Sequence, residues 1–394
     1  MKINNYKNYL ASTSLFLMCM VLSNAVFSET NFKPAPSSHY SLAEPSLSLK
    51  SFALNLQDYL SAKQTRTLTD SLHRESFVLA QMQALVHYTG ELPESDEKKN
   101  SLYEMMKTMN IAVFTGLEAK LKQFDVWTFV HHRTYEGRSF ILYRVETEDE
   151  EFSFFELEVK QFESKWVVTD WFNYSTDIWF SETIGGIASI LYSGSNNTDA
   201  ESLAVNNFLQ RRFDDGLESY ANLTMENQKR PILQSLLVGF SIALDHDNFN
   251  ETMEKLLLVS PENRFLLTKM TYFSEKEEYR RALDCIRQLS KDLGGESNLE
   301  LMRAEILFQL GESKAANRAL AKAIRLKPKD ETPYYTALFL LAGYQYYGEA
   351  VLVLDVLQEE FEFVLSEKEL AELGNLDDFL ESEQYRNWLK NNAA

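Results

Sequence analysis

Residues 297–330 read SNLELMRAEILFQLGESKAANRALAKAIRLKPKD. Apolar residues recur at helical spacing on both sides of Leu310-Gly311-Glu312, so the stretch predicts two helices joined by a tight turn. Ala316, in the second helix, belongs to a set. Ala282, Ala316 and Ala350 stand at one interval of 34 residues. Self-similarity at such a period signals a stack of helical hairpins, each covering the apolar face of the next.

The quoted stretch resembles a tetratricopeptide repeat at most of that family's diagnostic places. Small Ala304 stands where the first helix approaches its partner closely, and Ala316 and Ala323 keep the second helix slim. Leu307 and Leu320 fill the large apolar places between them. Gly311 ends the first helix with no Cβ penalty, and Pro328 closes the unit. Glu300 and Arg303 depart from the pattern, where the family has an aromatic residue and a leucine. Asn263–Glu296 keeps Leu266, Phe273, Tyr279, Ala282 and Ile286 but has larger Met270 and Leu289 at small places. Glu331–Val364 keeps Tyr334, Ala350 and Leu354, with larger Leu338 and Leu357. Pro231–Ser260 reads as an eroded copy.

The resemblance implies a concave groove, lined by first helices, that receives a peptide or protein element. By position it presents Arg264, Leu267 and Thr271 from the first copy. Asn298, Leu301 and Glu305 come from the second copy, and Thr332, Tyr335 and Phe339 from the third. The three alanines read as packing residues instead.

The N-terminal half has another rhythm. Helical spacing runs from about Leu47 to Val86, with Leu56, Tyr59 and Leu60 on one face and Leu79, Met82, Leu85 and Val86 on another. Leu102–Phe124 is a further amphipathic stretch. Val126–Val130, Phe140–Val145, Phe152–Val159 and Trp166–Trp171 are rich in aromatic and β-branched residues between short turn clusters, which predicts an antiparallel meander. Alternation in Phe152–Val159 predicts one wet face, carrying Glu156 and Glu158, and one buried face. Helices followed by a meander give an α+β domain that weakly resembles nuclear-transport-factor-2-like folds. Gly185, Gly186, Gly194 and Ser193–Asp199 read as a boundary. Helices are expected thereafter at Ala200–Phe213, Leu217–Met225, Ile232–Leu244 and Asn250–Leu258.

Lys2, Lys7 and the apolar run Leu15–Leu22 predict a secretory signal over residues 1–28, followed by a Pro/Ser-rich leader over 29–46. The expected organisation is then an α+β domain at 47–195, degenerate helical repeats at 196–262, tetratricopeptide repeats at 263–364 and a helical cap at 365–394. Removing the signal lowers Lys plus Arg from 39 to 37 while 58 acids remain, a net charge of −21. That surface repels nucleic acid and anionic lipid. Cys285 is then the only thiol, so no internal disulfide is expected. An exported, disulfide-free, acidic chain suits the periplasm or secretion. Asn173, Asn196, Asn222 and Asn250 open N-X-S/T triplets, which matter only in a eukaryotic secretory pathway.

Catalytic signals are sparse. His131 and His132 are adjacent on a predicted strand and point to opposite faces, which disfavours chelation of one ion. Cys285 reads as a small core residue, and Trp127, Trp166, Trp171 and Trp179 as core. Asp170, between Val168 and Trp171, is either an exposed strand-edge aspartate or a buried carboxylate able to serve as a base. No catalytic residue, cofactor or metal site is assigned. The expectation is a non-catalytic exported protein that docks a protein or peptide partner, with no integral membrane segment. A small-molecule or enzymatic site in the N-terminal domain and a purely structural oligomer are the alternatives.

Overall fold

In the first part of the chain, helices precede a meander, as expected, and a short strand that was not expected precedes the helices. The computed structural model describes residues 41–392, apart from 43–44, 91–94, 96, 98, 105, 108–109, 111–120, 123, 148–151, 194–199, 211, 244–245 and 362–375. The expected signal, most of the leader, Gly194 and much of Leu102–Phe124 lie outside the described residues. Compactness divides the chain into two units, Met1–Lys276 and Glu277–Ala394. Among the described residues no helix is long and apolar enough to cross a membrane.

The first unit begins with strand β1 (Ser41–Leu42) and helices α1 (Leu47–Ser61), α2 (Arg66–Asp70) and α3 (Arg74–Thr89). The Ser46 hydroxyl accepts from the Leu49 amide and so starts α1. Leu49, Ala53, Leu56 and Leu60 form its buried stripe, one residue per turn. Tyr59 and Leu79, expected to face inward, are exposed instead, because each sits off the stripe that meets the sheet. The α3 helix ends at Gly90, whose φ of +74° needs no Cβ.

The sheet runs β1-β2-β3-β4-β5-β6, with every neighbouring pair antiparallel. Its longer strands are β2 (Val126–Tyr135), β3 (Arg138–Glu146), β4 (Phe152–Phe162) and β5 (Lys165–Asn173), and β6 is Ile178–Trp179. Glu136-Gly137 and Glu163-Ser164 close two-residue hairpins with positive φ at both positions, the conformation that matches strand twist. The β2 edge is partly blunted by α1. The Gln57 side-chain Oε1 accepts from the Phe129 amide at 2.7 Å, and the Ser61 hydroxyl accepts from the Trp127 amide at 3.0 Å.

One sheet face carries Trp127, Tyr143, Phe155, Leu157 and Trp171. It packs on the helices: the Tyr143 hydroxyl donates to the Ala53 carbonyl at 2.8 Å, and Phe77 lies 5.2 Å from Trp171. Burying each such ring contributes about 1.5–3 kcal/mol. The other face carries Phe140, Leu142, Phe154, Glu156 and Phe172, and it is buried as well. The expectation of a wet face with Glu156 and Glu158 is therefore corrected. Both glutamates are covered, and arginines neutralise them: Arg133 pairs with Glu156 and Arg138 with Glu158. Trp166 is only half-buried, with its indole N–H donating to the Ser48 hydroxyl, whereas Trp127, Trp171 and Trp179 are core.

Helix α4 (Phe180–Ser193) leaves the sheet and crosses α3 at Gly185. Here the sequence reading needs a second correction. Gly185 and Gly186 lie inside a helix, where a Cβ on Gly185 would sit 2.5 Å from the Gln81 carbonyl oxygen and 2.7 Å from the Ala84 Cβ. They permit close approach of two backbones rather than marking a turn. The first unit continues with α5 (Ala200–Leu209), α6 (Phe213–Ala221), α7 (Met225–Gln228), α8 (Pro231–Ala243), α9 (His246–Val259) and α10 (Leu266–Glu275).

The second unit comprises α11 (Tyr279–Asp292), α12 (Ser297–Gln309), α13 (Ser313–Leu326), α14 (Thr332–Gly343), α15 (Tyr347–Phe361), α16 (Asp377–Leu380) and α17 (Glu383–Asn392). Helices α11, α13 and α15 begin at residues 279, 313 and 347, an interval of 34 each time. Ala282, Ala316 and Ala350 are fully buried at equivalent places. A left-handed residue precedes each helix by two positions: Glu277, Gly311 and Gln345, with φ of +57°, +71° and +65°. At Gly311 and Gln345 the following amide reaches back to the carbonyl five residues earlier, Glu312 to Leu307 and Tyr346 to Leu341, which closes the helix end.

Candidate functional site

In the second unit, α12 and α14 lie against each other. Asn298, Leu301 and Glu305 follow one another at three- and four-residue steps along α12, and Thr332, Tyr335 and Phe339 do the same along α14. Each set therefore forms a stripe on one helix face, and the six residues occupy two adjacent first helices. Asn298 is half-buried, and its amide donates to Glu296 Oε2 at 2.6 Å, so Glu296 caps α12. Leu301 is buried. Thr332 is exposed, while Tyr335 and Phe339 are half-buried. Burial, and then the nearby Glu331, push the Tyr335 hydroxyl upward.

Glu305 is half-buried, and burial raises its carboxyl above the ordinary glutamate value. Tyr344 is pushed up to about 12, by burial first and then by the charges of Glu305 and Tyr279, against a hydrogen bond from the Gln309 side chain. Phe308 stacks on Tyr344, with ring centroids 4.8 Å apart and planes inclined by 15°. Tyr279, at the start of α11, is likewise raised, by burial and in part by the Glu305 charge.

Arg264, Leu267 and Thr271 belong to the first unit. The Arg264 Nε donates to Asp177 Oδ2 at 2.6 Å, and a second guanidinium nitrogen donates to the Asp177 carbonyl at 2.7 Å. Leu267 and Thr271 are buried, and the Thr271 hydroxyl donates to the Leu267 carbonyl. The described role of Arg264 is thus to neutralise an aspartate in the turn before β6.

A strong electrostatic perturbation lies at the start of α4. Asp170 is fully buried, as one branch of the sequence reading allowed, but its lone pairs are engaged. It accepts from the Ser181 amide at 3.2 Å, the Ser181 hydroxyl at 2.5 Å and the Trp171 amide at 2.9 Å. A bulge in β5 at Thr169 aims it at the helix end. Asp170 thus serves as a cap delivered from the sheet, and a carboxylate so engaged has little capacity left to act as a base.

Glu182, three residues into the same segment, accepts from the Trp179 amide at 3.1 Å. Burial pushes it up to about 8. The Trp179 amide and Arg264 oppose that shift, while Asp170 and Asp177 reinforce it. The Tyr88 hydroxyl beside it is also driven upward, by burial and then by Glu182. The folded protein therefore holds a proton on Glu182 at pH values where the unfolded chain, at an ordinary 4.5, has lost it. The contribution of Glu182 to stability is therefore fully present below about 4.5 and is lost as pH rises to about 8. Glu182→Gln keeps an acceptor for Trp179 without a titrating proton. We expect the unfolding free energy of the parent, from urea titrations, to fall between pH 5 and 8 by on the order of 3 kcal/mol, and that of the variant to stay flatter. Parallel profiles would show that Glu182 ionises normally.

His131 stands opposite Leu142 and His132 opposite Ile141, so the two occupy opposite sheet faces. Cys285 is a buried residue of α11. Among the described residues no group of three or more His, Cys, Asp or Glu side chains is arranged to hold a metal ion. No protein-family model matches the chain, and neither a curated protein nor a solved structure matches it.

Sequence reasoning missed two charge networks. Arg133 and Glu156 pair while almost wholly buried, and the Tyr174 hydroxyl accepts from Arg133 at 2.7 Å. Glu300 is buried against Lys322 at 2.6 Å and Arg303 at 3.2 Å. The available signal was that both departures from the repeat pattern, Glu300 and Arg303, are charged with opposite sign one helical turn apart.

Proposed function

We propose that this chain is a non-catalytic, exported scaffold whose tetratricopeptide array docks a protein or peptide segment across α12 and α14. The observation that carries this reading is the strict interval of α11, α13 and α15, with two adjacent first helices offering polar and half-buried apolar side chains. Such a mixture suits an extended peptide or helix, which needs apolar contacts for affinity and polar ones for register. The N-terminal domain supplies a second surface for assembly. Its space between sheet and helices holds Trp127, Trp171 and Phe155, which supports a packed rather than ligand-holding interior.

Photo-crosslinking tests the docking face. A photoreactive phenylalanine analogue at Tyr335 or Phe339 is expected to yield discrete protein adducts in the exported fraction. The same group at exposed Arg318, on the outer helix α13, should not. Equal labelling at all three positions, or labelling only at Arg318, would place the partner elsewhere.

A further inference from the structure

The outer helices of the second unit segregate charge. Ser313–Lys329 holds six bases and no acid, whereas Thr332–Phe361 holds four acids and no base. On α13, Lys314, Arg318, Ala321 and Arg325 follow one another at three- and four-residue steps and are all exposed, so they form one outward stripe. On α15, Glu349, Leu352, Glu359 and Glu360 are exposed. Glu349 and Glu360 stand eleven residues apart, as Lys314 and Arg325 do. Among the described residues these three bases and three acids make no ion pair, whereas nearby Lys322 meets Glu300 and Lys327 meets Asp330. The Tyr346 hydroxyl donates to the Ser313 hydroxyl, which sets the starts of α15 and α13 side by side. Helix α17 reaches α15 at Asp355, through the Trp388 indole, and leaves Leu352 63% exposed.

We propose that two copies of this chain pair through this outer face, with α13 of each copy lying antiparallel on α15 of the other. Neighbouring stripes of opposite sign are self-complementary about a two-fold axis, the symmetry of the commonest dimers. Lys314 then meets Glu359 and Glu360 of the second copy, and Arg325 meets its Glu349. Both stripes run about 16 Å, so the two ends engage together, and Leu352 leaves water against small Ala321 between them. A purely acidic partner would satisfy α13 and be repelled by α15, whereas a second copy carries both signs in the required order. With a net charge of −19, copies meeting in other orientations repel, so the local pairing also selects the orientation. The pairing does not depend on the docking face of α12 and α14. It leaves that face free, and a dimer would offer two such faces to a partner with two segments.

Sedimentation equilibrium of the full chain tests this. At low salt we expect twice the chain mass, falling toward the monomer as salt screens the pairs. Arg318→Glu with Arg325→Glu should weaken dimerisation roughly a hundredfold. Glu349→Arg with Glu360→Arg should do the same. Far-ultraviolet spectra should stay unchanged in both, because all four side chains are exposed. Mixed one to one, the two monomeric variants should recover a dimer, since each reversed stripe then meets its opposite in both halves of the interface. A parent that is monomeric at its highest soluble concentration overturns the proposal. So does a dimer indifferent to both pairs of reversals, or a mixture that stays monomeric. The photoreactive analogue at Arg318 itself removes a cation from each half of the interface. At the dilution of the exported fraction that variant is monomeric, and it remains a control for the docking face.

Discussion

Gly185→Ala is expected to destabilise the first unit by about 3 kcal/mol, despite introducing a better helix former. Alanine gains about 1 kcal/mol of helix propensity over glycine. The added methyl, however, would lie 2.5 Å from the Gln81 carbonyl oxygen and 2.7 Å from both the Ala84 Cβ and the Leu85 amide nitrogen. Two of those three atoms are backbone of α3 and cannot swing aside. The helices must separate, which loosens Phe77, Leu85 and Ile184 around the crossing, and overpacking of this kind costs about 1–3 kcal/mol or more. Gly186→Ala should be milder, since its nearest neighbour is the Ile232 side chain at 3.0 Å. Urea unfolding followed by tryptophan fluorescence separates the two. An unchanged or raised midpoint for Gly185→Ala would mean that α3 and α4 do not approach so closely.

Arg133→Met is expected to cost about 3–5 kcal/mol, because it leaves the Glu156 carboxylate buried without its partner. Burial already raises Glu156 against the pull of Arg133 and Tyr174, so the variant should bind a proton there and recover part of the loss at acid pH. The double variant Arg133→Met with Glu156→Leu removes both charges and should return most of the stability. A cycle of the four proteins then measures coupling within the pair. A single variant that loses under about 1 kcal/mol would show the pair to be solvated.

The alternation along Phe152–Val159 shows why the second sheet face was hard to read. Glutamates at every other place ordinarily mean water. The partners of Glu156 and Glu158 come from β2 and the β2–β3 hairpin end, Arg133 and Arg138. Their distance in sequence hides the pairing, and nothing local distinguishes a paired buried carboxylate from a solvated one. Asp170 is similar. Its neighbours Val168 and Trp171 left it either exposed or buried, and its duty at the N-terminus of α4 depends on Ser181, eleven residues on. The paired glycines are the clearest case, since composition alone reads them as punctuation. Only the α3 backbone packed against them gives their reason.

By itself the sequence determined the element types and their order: helices, then a meander, then helical hairpins at a 34-residue interval. Those follow from side-chain periodicity and turn chemistry, which act over a few residues. It also located Asn298, Leu301, Glu305, Thr332, Tyr335 and Phe339 on two first helices, because hairpin repetition carries position from one copy to the next. The left-handed turns at Glu277 and Gln345 were not legible, since only Gly311 among the three is a glycine. Tertiary structure alone decided which charges are paired. Glu300 and Glu305 lie on the same helix, five residues apart. The first is buried against Lys322 from the next helix, while the second is half-buried. Charge compensation is a property of neighbours in space, so it emerges only when the helices are packed.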